Sequence, residues 1–383
     1  TANGKVVMTG TNTVTTANDT VYASGINTIT NASGIVNASG VNTVTTANNT
    51  VYVSGINTIT TANGTVYVTG HTNTITTAAG NTHITGYRNT VTTANGTVFI
   101  TGGNGATNTV TTASSTVIIT GGNNTVTTAN GTVYASGINT ITTAQGTTNA
   151  SGVNTITTAQ GTVNASGVNT VTTAEGTVNL SGTNTVTTAQ GTTNMSGTNT
   201  VTTAQGTTNM SGVNTVTTAN GRVNASGINT ITTVASNAIA LVTGHANTVT
   251  TNQGKIWMSG KSSTVTNASN ADIYITGNTS TVTNADGGII YITGNTASVA
   301  TSQGTLNISG YSNTVTTANG TTNMSGVNTV TTAQGTVNAS GVNTITTAEG
   351  TTNMSGVNTV TNASGIVNAS GVNTVTTANN TVY

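Results

Sequence analysis

The stretch Val41-Asn42-Thr43-Val44-Thr45-Thr46-Ala47-Asn48-Asn49-Thr50-Val51-Tyr52-Val53-Ser54-Gly55 decides the fold. Through Thr43-Val44-Thr45 and again through Val51-Tyr52-Val53, β-branched residues alternate at period two, the pattern of short half-buried strands. No apolar residue recurs at the 3.6-residue spacing of a helix face. Numbering these positions one to fifteen from Val41, the same pattern repeats along all 383 residues, with Val or Ile at position four in all 24 copies, from Val14, Ile29, Val44 and Ile59 to Val330, Ile345, Val360 and Val375. Self-similarity at a short fixed period is the signature of stacked repeats. The expected fold is therefore all-β: a single parallel β-solenoid of 24 coils, about 15 residues per coil, continuous over residues 1–383. At roughly 4.8 Å per step it would form a narrow rod on the order of 110 Å long.

The repeat also predicts where the coils bend and what fills them. Position nine is mostly Gly, and the exceptions Asp19, Asn49 and Asn380 are expected to accept left-handed backbone, with Ser115 the outlier. Coils lengthen to 16–19 residues near 60–126 and to 16–18 near 232–315, through insertions such as Gly103 to Ala106. Asn occupies position two in 21 coils, so stacking would set amides about 4.8 Å apart, each bonding the next. Positions eleven and thirteen read as inward neighbours. Thr193, Thr208, Thr322 and Thr352 precede Met195, Met210, Met324 and Met354, whereas Val at eleven often goes with Ala at thirteen, which suggests volume compensation.

Composition narrows the function. With five Lys or Arg, five Asp or Glu, three His, no Cys and no Pro, the chain has little with which to build an active site and is expected not to be an enzyme. No disulfide, thiolate metal site, cofactor or metal is expected, and without a basic surplus neither is nucleic acid as a partner. No apolar run approaches the roughly 20 residues of a membrane helix. His71 and His245 fall in inserted corners and His83 at outward position twelve, so no two share a column. Lys255 and Asp272, both at position ten of consecutive coils, should form an exposed ion pair, while Glu175, Asp286 and Glu349 sit in turns as solvated charge.

Two outward columns remain as candidate faces. The first is Thr-x-Thr at positions three and five, present in 23 of 24 coils and exemplified by Thr43, Thr45, Thr58, Thr60, Thr140, Thr142, Thr155 and Thr157. The plain reading is that Thr suits an exposed strand; the functional reading is a regular array of methyls and hydroxyls that matches ice. The second is position twelve, with Tyr22, Tyr52, Tyr67, His83, Phe99 and Tyr134, then Asn149 to Asn224, then Trp257, Tyr274 and Tyr291, then Asn again. Exposed aromatics in register suggest lateral packing or ligand contact. The same Asn residues lie in sequons such as Asn164-Ala165-Ser166, open to glycosylation in a secretory pathway.

The segments Gly-Thr-Val-Asn-Ala-Ser-Gly at 161–167 and Asn-Thr-Val-Thr-Thr at 169–173 resemble β-helical stalks of secreted bacterial adhesins, the autotransporter passengers and filamentous-haemagglutinin-like proteins. More weakly, the fifteen-residue coil with Thr-x-Thr is similar to insect β-solenoid antifreeze proteins, in which matching threonines make the ice-binding face; insect versions staple their coils with cysteine, which is absent here. Because the repeat runs from Thr1 to Tyr383 without a distinct cap, a fragment or an end-to-end polymer is expected. The expected role is an extracellular or cell-surface structural protein whose partner is itself, with surface glycans or ice as further partners. Ice binding is the alternative function.

Overall fold

The computed structural model describes residues 4–233, 237–251, 253–267, 270–284 and 287–383. Asp286 lies outside them. The chain divides into two compact units, Thr1–Thr187 and Thr188–Tyr383. Each is a parallel β-solenoid with about 15 residues per turn.

Six extended elements follow in order: β1 (Gly4–Thr101), β2 (Thr107–Thr233), β3 (Ile239–Thr251), β4 (Gly254–Asn267), β5 (Ala271–Asn284) and β6 (Ile289–Val382). The longest wind through several coils each, because their corners keep the coil-to-coil hydrogen bonds and do not break the ladder. In the first unit β1 pairs β2 in parallel with Val91 opposite Val110 and Phe99 opposite Ile118. In the second, Val249, Val265, Val282 and Val299 align across β3, β4, β5 and β6. Like lies on like, as a repeat stacked on itself requires.

The position-four column is buried from Val14 to Val360, and Val375 is half-buried. Positions eleven and thirteen join it inside: Val21, Val51 and Val163 are fully buried, as are Ile256, Ile273 and Ile290. Regular turns number about 18 rather than the 24 coils expected. In the longest coil the inserted residues interrupt the strand, at Gly102–Ala106 between β1 and β2. Shorter insertions are absorbed as bulges. Gly227 faces Gly244 and Ile228 faces Ala246, leaving His245 as the extra residue at an inserted corner.

One sequence expectation needs correction. No non-glycine residue among those described has a positive φ, so Asp19 and Asn49 do not turn the corner through left-handed backbone. The side chains of Asp19 and Asn49 instead turn inward and are buried. In the Thr–Met pairs both side chains are buried, Thr193 with Met195 and Thr322 with Met324. The hydroxyl that Thr adds is buried at 193, 322 and 352 without a hydrogen-bond partner, beside the long flexible Met side chain.

Candidate functional site: the ladders and outer columns

Position two forms the expected ladder. Asn27 Nδ2 donates to Asn42 Oδ1 at 2.8 Å, and Asn42 Nδ2 to Asn57 Oδ1 at 2.8 Å. Many of these amides also bond backbone: Asn42 Nδ2 donates to Ser54 O at 3.0 Å, near the end of its own coil. Buried amides are stable only when both ends are satisfied, and here every interior member gives and receives. In the second unit the run from Asn199 through Asn214 and Asn229 reaches Asn247. Ser263, Ser280 and Ala297 then interrupt it until Asn313 resumes with Asn328. The interruption leaves the atoms that a directional ladder predicts: Asn247 Nδ2 and Asn313 Oδ1 are buried and unpartnered.

Sequence reasoning missed a second interior column. Position six is buried through Thr16, Thr46, Thr61 and Thr143, and in places the hydroxyls pair, as Thr77 with Thr93 at 3.0 Å. The alternation Thr43-Val44-Thr45-Thr46 held the signal, because Thr46 follows an outward Thr45 and so faces in.

The Thr-x-Thr residues Thr43, Thr45, Thr58, Thr60, Thr140, Thr142, Thr155 and Thr157 are all exposed. Position one points the same way and was also missed: Val41, Ile56, Ile138, Val153 and Val168 are each about half exposed, between 47% and 57%. The face is thus three residues deep, aliphatic at one edge and threonine across the rest.

Position twelve carries the aromatics as stacks. Tyr52, Tyr67, His83 and Phe99 lie centroid to centroid at 4.9, 4.8 and 4.7 Å, with planes within 9°. Trp257, Tyr274 and Tyr291 follow at 5.6 and 5.1 Å. Rings stacked at strand spacing cover one another's faces and show solvent their edges, so Tyr274 has no open face for a sugar. Tyr134 has Ile118 and Asn149 as column neighbours and stands outside both stacks.

Where position twelve is Asn it makes an outer amide ladder. Asn179 Nδ2 donates to Asn164 Oδ1 at 2.8 Å and Asn164 Nδ2 to Asn149 Oδ1 at 2.9 Å. The sequon residue Asn164 therefore has both ends of its amide engaged. Lys255 Nζ lies 3.7 Å from Asp272 Oδ2, as their register implies. The inserted corners meet as well: the rings of His71 and Tyr87 stack at 5.3 Å. No group of three or more His, Cys, Asp or Glu among the described residues is placed to hold a metal ion. No described helix is long and apolar enough to cross a membrane.

No family model, curated protein or solved structure matches this chain. These comparisons lend no support to the resemblance to adhesin stalks or antifreeze solenoids; the structure shows a parallel β-solenoid with coils of about 15 residues.

Proposed function

We propose that this chain is a non-enzymatic structural protein of the cell surface or extracellular space, a β-solenoid subunit that joins others end to end, and laterally through its outer columns, into a fibre or adhesin stalk. The observation that carries this reading is the translational periodicity of the ladders. Each coil offers the next the same amide donors and backbone groups that it receives from the one before, so a coil of a second copy has what it needs to take the next place. The exposed aromatic residues of position twelve supply lateral contact. The scarcity of charge supports association too, since soluble monomers usually keep net charge to resist it. The resemblance to secreted stalks supports the extracellular placement.

Negative-stain microscopy and sedimentation of the purified chain test the proposal together. Fibres are expected; a monodisperse monomer at every concentration overturns it. A second reading, ice binding, is favoured by the exposed Thr43, Thr45, Thr58 and Thr60 in regular ranks. It requires thermal hysteresis from a monomer, lost when Thr155 and Thr157 are replaced by Leu.

A further inference from the structure

We propose that Tyr22, Asn37 and Tyr52 form a slot that binds one neutral pyranose ring. These residues occupy position twelve of three consecutive coils. Asn37 takes the place of a ring, so the two tyrosines face each other across two rungs, about 10 Å. The other face of each is already used. Tyr52 stacks on Tyr67 at 4.9 Å, and Lys5, from the preceding coil, places Nζ 4.9 Å from the centre of the Tyr22 ring.

An open groove of about 490 Å³ runs along this face, lined by Val7, Tyr22, Asn37, Tyr52 and Tyr67 together with Ser24, Ser39 and Ser54. That volume lies within the range of small-molecule sites, roughly 300–1,000 Å³. A cavity of about 520 Å³ occurs in the second unit at the corresponding step, where Tyr291 is followed by Asn307 and Asn323. There one ring bounds the space. At Asn37 a tyrosine flanks the groove in the coil on each side.

The chemistry of the floor selects the occupant. In the blocks 149–179 and 323–368 the position-twelve amides bond one another, whereas Asn37 has tyrosines in the coils above and below. An aromatic ring in the slot would fit the spacing yet cover this amide and the serine hydroxyls without partners, which costs free energy. A pyranose offers C–H faces to both tyrosines and hydroxyl edges to Asn37, Ser24 and Ser39. A single ring so held binds at about millimolar affinity.

The inference extends the surface-contact part of the proposed function and does not depend on fibre formation. Its test is saturation-transfer NMR on the full chain with methyl glucopyranoside, methyl galactopyranoside and methyl mannopyranoside, and phenol as aromatic comparator. At least one pyranoside should bind. Affinity should fall about tenfold or more in Asn37→Tyr, which completes the stack, and in Tyr22→Ala, and stay unchanged in Tyr311→Ala, an exposed tyrosine outside the column. Asn37→Tyr places the residue already found at 52 and 67, so its folding is checked by an unaltered circular dichroism spectrum. Equal binding by Asn37→Tyr overturns the proposal, as does phenol binding without any pyranoside, or no pyranoside binding at about 50 mM. Fibres scored in the same samples separate this failure from that of the assembly reading.

Discussion

At the scale of single residues, the stack is limited by how closely one coil lies on the next. Gly55 has φ +108°, and a Cβ there would lie 2.0 Å from the carbonyl oxygen of Gly40. Gly146 meets Gly131 in the same way. Gly55→Ala combines left-handed strain with a backbone clash that cannot be relieved by a rotamer change, so it should destabilise the first unit by about 3 kcal/mol or more, read as a shift in the urea midpoint. Inside, the opposite correction is available. Thr322 is fully buried with an unpartnered hydroxyl, and Thr322→Val keeps the branched shape while removing the polar atom. It should stabilise by about 1 kcal/mol; a lower urea midpoint would mean that the hydroxyl has a partner worth more than its desolvation cost.

At the scale of the coil, the amide ladder behaves as one element whose members depend on their neighbours. Replacing Asn42 by Leu strands the amide nitrogen of Asn27 and the oxygen of Asn57, and should cost about 2–4 kcal/mol. Conversely, Ser263→Asn, Ser280→Asn and Ala297→Asn together bridge the orphaned Asn247 Nδ2 to Asn313 Oδ1 and should raise the melting temperature of the second unit, with the triple change exceeding the sum of the single ones. This element was legible in the sequence because Asn recurs at a fixed position and amides about 4.8 Å apart must bond. So were the position-four column and the outward Thr43 and Thr45, since period two assigns each residue a face. The corners were less legible. At Thr45-Thr46 the chain places a second Thr inside, and the run of identical residues hides the change of side. Position nine misled for a related reason: Asn49 has a side chain that suits a left-handed turn, but the interior accepts it and the backbone stays extended. Ring stacking followed from register, while the slot at Asn37 required knowing that the aromatic faces are otherwise closed.

For the whole molecule, the governing quantity is charge. Five cationic and five anionic side chains over 383 residues leave a formal net charge of zero, with long stretches such as 89–174 holding no Lys, Arg, Asp or Glu. Repulsion between copies would therefore be weak at any salt concentration, and in the proposed fibre they would be held by backbone pairing and apolar contact, neither of which is screened. Fibre formation should then proceed at nearly the same rate from about 10 mM to about 1 M salt, although the Debye length falls from roughly 30 Å to 3 Å over that range. Charge can be added where it does not disturb the fold. Val153, Val168, Val342 and Val357 are each about half exposed at position one, so lysine at all four leaves the interior untouched and raises the net charge by four. This variant should assemble slowly at about 10 mM salt and recover the parental rate near 1 M, as followed by light scattering. A variant that fails to assemble at every salt concentration while keeping its circular dichroism spectrum would show that the position-one column is itself the contact surface, and that the copies join sideways through it.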